Sequence, residues 1–82
     1  MGDRSLHITV RLFSYLRENA ENPEGIVRLN FPQTAHVKDI FHSLALKESE
    51  ISLVMINHHR RKWEEPLSNG DFVEIFPIIG GG

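Results

Sequence analysis

Only one stretch of this chain spaces its apolar residues as a helix does, and every other patterned stretch alternates. Val37, Ile40, Phe41 and Leu44 fall at i, i+3, i+4 and i+7, the stripe of an amphipathic helix with one buried face. The spacing predicts a single main helix within residues 34–50. Its cap falls at Thr34 or nearer His36, and Asp39 comes early enough to meet the positive end of the helix dipole. A lone apolar stripe must be buried against something other than a second helix, and the alternating segments are what the chain offers.

Leu6, Ile8, Val10 and Leu12 face away from His7, Thr9, Arg11 and Phe13, as in a strand with one buried side. Residues 14–18 break the alternation as a helical turn, and Asn-Pro-Glu-Gly at 22–25 reverses the chain. A second strand over 26–31 puts Val27, Leu29 and Phe31 on one face, and Pro32 ends it. A third, over 51–57, sets Val54 and Ile56 against Leu53 and Met55; a short fourth segment around Lys62 and Trp63 follows a polar turn at 58–61. The Asn69-Gly70 pair supplies a positive φ for the turn at 66–71. In the last strand Val73 and Ile75 point one way, and Phe72, Glu74 and Phe76 the other.

A hairpin, a helical crossover and a returning strand predict an α+β fold of the β-grasp, or ubiquitin-like, kind. Its mixed sheet has four to five strands, one main helix packs across one face, and the last strand lies beside and parallel to the first in the middle. At 82 residues this makes one domain, over 1–77, followed by a flexible glycine tail over 78–82.

The tail is where chemistry is expected. Gly80, Gly81 and Gly82 carry no Cβ, so they can enter a channel too narrow for side chains and leave the terminal carbonyl unobstructed. Before them, the β-branched Ile78 and Ile79 favour an extended backbone that can anchor the base of the tail. Residues 78–82 reach at most about 17 Å. Cysteine is absent, which removes disulfides, thiolate ligands and a cysteine nucleophile; any sulfur must come from a partner. The formal charge of −2 argues against nucleic acid or an anionic membrane as partner. No apolar run approaches the roughly 20 residues of a membrane span, and the first residues lack a signal-peptide core. A cytoplasmic location is the default expectation.

Several pieces taken together resemble the ubiquitin-like sulfur carrier proteins of the MoaD and ThiS type. They are Val-Arg-Leu-Phe-Ser-Tyr-Leu-Arg-Glu at 10–18, Val-Lys-Asp-Ile-Phe at 37–41, Met-Ile-Asn at 55–57, Pro-Leu-Ser-Asn-Gly-Asp at 66–71 and Phe-Pro-Ile-Ile-Gly-Gly-Gly at 76–82. The Leu-Phe-x-x-Leu-Arg-Glu piece at 12–18 is most like the small subunit of molybdopterin synthase. Gly80 stands where that type more often has a small side chain, and the His-His-Arg-Arg of 58–61 occupies a turn that usually holds glycine.

The resemblance implies a cosubstrate that is not catalytic alone. An E1-like adenylating enzyme would use ATP and magnesium to form an acyl adenylate on Gly82, with Gly81 beside it. A sulfur donor would then displace AMP to leave a thiocarboxylate, and the large subunit of molybdopterin synthase would receive the sulfur. A carrier serving thiazole, cysteine or tungsten-pterin synthesis, a ubiquitin-like protein modifier, and a non-catalytic interaction module are the alternatives. The expected docking surface is the outer face of the sheet, with Phe76 and Pro77 leading into Ile78, Ile79 and Gly80, and with Phe13 and Met55 on the same face. Phe76 or Phe13 could instead close a corner of the core. His58 and His59, as neighbours on a strand, point to opposite faces, so no metal site is expected from them. Arg60, Arg61 and Lys62 precede Glu64 and Glu65, which suggests a solvated hairpin or a salt rim for an acidic partner.

Overall fold

The computed structural model describes residues 5–79. Five strands form one mixed sheet: β1 (Leu6–Leu12), β2 (Ile26–Phe31), β3 (Ile51–Ile56), β4 (His59–Arg61) and β5 (Phe72–Pro77), in the order β2-β1-β5-β3-β4. β5 runs parallel to β1 and antiparallel to β3, so it is the central strand. This is the β-grasp arrangement, with the returning strand in the middle of the sheet. One α-helix, α1 (Val37–Ser43), contributes Val37, Ile40 and Phe41 to the core that also holds Ile8, Val10, Val54, Val73 and Ile75. Burying each such side chain contributes about 1.5–3 kcal/mol. Trp63 covers the edge of this core, its ring edge-on to Phe41 at 5.4 Å and 89°.

The helix is shorter than the apolar spacing predicted. It begins after His36, whose backbone N–H donates to the Asp39 carboxylate at 2.7 Å. The next two N–H groups, of Val37 and Lys38, donate to the carbonyls of Glu65 and Trp63 at 2.9 and 3.0 Å, so a neighbouring loop satisfies the start of the helix. It stops after Ser43 because Ala45 adopts a left-handed conformation, φ 56°. Leu46 then donates to the Phe41 carbonyl at 2.8 Å and Ala45 to the His42 carbonyl at 3.3 Å, the paired bonds of a Schellman ending. The Asn19 side-chain amide donates to the free Leu44 carbonyl at 2.9 Å. With alanine in the position that glycine usually takes, the stop carried no composition signal. Residues 48–50 form a separate 3-10 turn.

The fourth strand is also displaced from its expected position. It comprises His59–Arg61 and not the region around Lys62 and Trp63, because the reversal is a two-residue turn at Asn57 and His58, φ 51° and 71°, closed by the Ile56–His59 pair. Positive φ at both central residues matches the twist of a hairpin. Trp63 thereby leaves the sheet and reaches Phe41. The segment after β1 is a 3-10 helix, Ser14–Ala20, longer than the single turn expected. Gly25 is required where this connection meets β2: a Cβ there would lie 2.4 Å from the Leu12 carbonyl oxygen. Among the described residues, no helix is long and apolar enough to cross a membrane.

Candidate partner-docking site at the end of the central strand

The period of β5 decides which side chains reach the outer face. Val73, Ile75 and Pro77 are buried, while Phe72, Glu74 and Phe76 lie half-buried on the opposite side. Phe76 therefore faces outward, as its parity predicted. Its ring stacks on that of Phe13, with centroids 4.4 Å apart and planes 14° from parallel. The two meet because Phe13 directly follows β1 and is held to β5 through its N–H, which donates to the Ile75 carbonyl at 3.3 Å. Both rings are half-buried, so the pair covers part of the outer face and still presents surface. The Arg11 guanidinium lies 4.9 Å from the centre of the Phe13 ring, a cation–π contact on the same face. Arg11 and Glu74 are register partners on adjacent strands.

Met55 shares the outer face but pairs with Glu74; the register partner of Phe76 is Leu53, also half-buried. Leu53 to Ile56 pair with β5 in one continuous register, which strand parity alone does not fix, and a register irregularity lies just ahead of that stretch, between Ile51 and Leu53. The alternation of Val54 and Ile56 gave no sign of it. Beside Leu53, a groove of about 310 Å³ runs along the β4 side, lined by Arg60, Arg61, Lys62 and Trp63 among others. Arg61 lies 3.6 Å from the Glu65 carboxylate, so part of the basic run is paired within the hairpin.

Beyond β5 the chain stays attached for one more residue. The Ile78 N–H donates to the Glu50 carbonyl at 2.8 Å, and the Tyr15 hydroxyl donates to the Ile78 carbonyl at 3.2 Å. Tyr15, Ile78 and Ile79 are the large hydrophobic residues most exposed among those described, at 44, 51 and 73%. The contacts of Tyr15 and Ile78 place them together. Tyr15 was not singled out in the sequence; its one available signal was an aromatic residue within the polar segment after β1. Gly80, Gly81 and Gly82, the residues expected to carry the chemistry, lie outside the described residues. Among the described residues, no group of three or more histidine or acidic side chains is placed to hold a metal. What these residues assemble is a half-buried aromatic pair and exposed apolar side chains at a strand exit.

A family model, ThiS, matches residues 10–82, nearly the whole chain and the glycines with it. The chain belongs to the ThiS family. It is thus a ubiquitin-like sulfur carrier by family. The fold is shared with small archaeal modifier protein 1 of H. volcanii, at 23% identity and a TM-score of 0.73, over 90% of this chain and 99% of that one. It is shared with Urm1 of Trypanosoma brucei at 19% identity and a TM-score of 0.69, over 99% and 100%. A chain from the complex of subunits 1 and 2 of the molybdopterin-converting factor of Helicobacter pylori matches at 20% identity and a TM-score of 0.59, over 94% and 100%. No curated protein sequence matches significantly.

Proposed function

We propose that this ThiS-family chain carries sulfur as a thiocarboxylate on its C-terminal Gly82 and donates it in molybdopterin synthesis. The observation that carries the reading is a family match running through residue 82, on a body whose central strand leads to the glycines beside an outward-facing aromatic pair. A carboxylate is a poor electrophile, because its charge is spread over two oxygens and it lacks a good leaving group. An E1-like partner supplies the leaving group: a Gly82 carboxylate oxygen attacks the α-phosphorus of ATP, pyrophosphate departs with magnesium, and an acyl adenylate remains. The outer sulfur of a donor persulfide attacks the carbonyl carbon, AMP leaves with the bonding electron pair, and a thiol reduces the S–S bond of the resulting acyl disulfide to release the thiocarboxylate.

The molybdopterin branch is favoured by the Leu-Phe-x-x-Leu-Arg-Glu piece at 12–18 and by fold similarity to the H. pylori chain, whose own partner is a second subunit. By analogy the acceptor's pocket lies in a larger synthase subunit that docks on Phe13, Leu53 and Phe76. A second reading, conjugation of Gly82 to protein lysines, draws support from the fold shared with the archaeal modifier. Both readings need the same activation, so deletion of Gly82 tests their common core. The truncated protein is expected to melt as the full chain does and to release no pyrophosphate with ATP and its activating enzyme. Full activity from the truncated chain would refute the proposal.

A further inference from the structure

β5 ends at Pro77 by strand pairing, yet Ile78 is still held on both flanks. Glu50 precedes β3 and accepts the Ile78 N–H, continuing the β3–β5 side of the sheet by one residue. On the β1 side the strand has already ended at Leu12, and Tyr15 takes its place by donating its hydroxyl to the Ile78 carbonyl. Reaching that carbonyl depends on the turn just before it, where Ser14 adopts a left-handed φ of 55°. Its own carbonyl accepts a hydrogen bond from Arg17 Nε at 3.1 Å. The Ile78 and Tyr15 side chains are about half exposed, so core packing does not immobilise them. The hydrogen bonds must do so.

We propose that Tyr15 is a positioning residue that aims the chain leaving β5, by fixing the Ile78 carbonyl opposite the Glu50 tether. This role rests on the carrier reading above. With Ile78 held on two sides, the backbone is fixed one residue beyond the last strand pair and two residues beyond Phe76. Without the hydroxyl, Ile78 keeps only its bond to the Glu50 carbonyl, and a partner must fix that residue when it binds.

Tyr15→Phe removes the donor and keeps the ring. In the full-length chain, amide hydrogen exchange at Ile78 is expected to speed up roughly twofold to tenfold, as for one modest hydrogen bond, with an unchanged melting temperature. In pyrophosphate release with ATP and the activating enzyme, the KM for the carrier rises by a similar factor and kcat stays the same, since orientation before binding is what is lost. Unchanged Ile78 exchange would show that the hydroxyl does not hold the segment. An unchanged or lower KM, with wild type active, would refute the positioning role alone. A wild-type chain that is never adenylated would instead bring down the carrier reading and the role that rests on it, while the exchange rates still report on the tether.

Discussion

The central strand begins and ends in contrasting surroundings. Where β5 starts, polar groups bind it to the rest of the sheet. The buried Asp71 accepts from the Asn57 side-chain amide at 3.1 Å and from the Ser68 N–H at 2.8 Å, and its carbonyl accepts the Thr9 N–H at 3.1 Å. Asn57 Oδ1 accepts the Phe72 N–H at 3.0 Å, while Asn69 and Gly70 pair with the backbone of His7 at 2.8 Å each. Where β5 ends, two stacked rings, a register-paired leucine and two exposed isoleucines take over, and the backbone of Ile78 is held by the Glu50 carbonyl and the Tyr15 hydroxyl. A polar network of short side chains holds a turn in one geometry without needing a partner. Half-buried apolar surface gains most when something else covers it. One end of the strand is therefore closed by polar bonds within the chain, and the other leaves apolar surface uncovered.

Substitutions at the two ends should separate binding from stability. Phe76→Glu at the exit end is expected to have the largest effect, because it places a charge at the centre of the docking face. Affinity for the activating enzyme should fall by about 2 kcal/mol or more, as for an aromatic hot spot, read by titration calorimetry. The lost stack with Phe13 would reduce stability by only about 1 kcal/mol. A much larger loss of stability with intact binding would place Phe76 in the core and erase the contrast.

Asp71→Ala at the closed end should do the reverse. Two donors lose their acceptor, which costs about 2 kcal/mol, and the melting temperature should fall by about 10 °C for a domain of this size. Adenylation below that temperature should match wild type. Weakened partner binding would mean that the two ends are coupled.

The smallest effect belongs to His58→Gly. A β-substituted residue in the left-handed region, φ 71°, is strained where glycine is not. Relief of that strain is partly offset by the looser unfolded chain, leaving a gain of about 0.5 kcal/mol in thermal or urea unfolding. A loss on substitution would show that the His58 side chain contributes more than its backbone strain removes.

The two ends also differ in how far the sequence disclosed them. Alternation in β5 identified Val73 and Ile75 as core and turned Phe76 outward, because parity follows directly from strand geometry. The β-grasp order followed from one helical stripe among alternating segments. Local geometry without a composition marker stayed hidden. Ala45 ends the helix in a conformation that only glycine or asparagine advertises, and Asn57-His58 makes a hairpin turn without its usual glycine. Long-range pairings were equally silent: Leu53 is the register partner of Phe76 while Met55 pairs with Glu74, and Tyr15 meets Ile78 across 63 positions of sequence. Such contacts depend on the assembled sheet, which no local window contains.

Whether the exit end serves sulfur transfer comes down to the chemical state of the last residue. Intact-mass measurement of the chain purified from its native cells, before and after treatment with ATP, the activating enzyme and a sulfur donor, reads that state directly. The expected result is a species heavier by the difference between one sulfur and one oxygen, located to Gly82 by fragmentation and missing from the Gly82-deleted chain. A chain that keeps its unmodified mass under all these conditions, with the activating enzyme shown to be competent on another carrier, would contradict it.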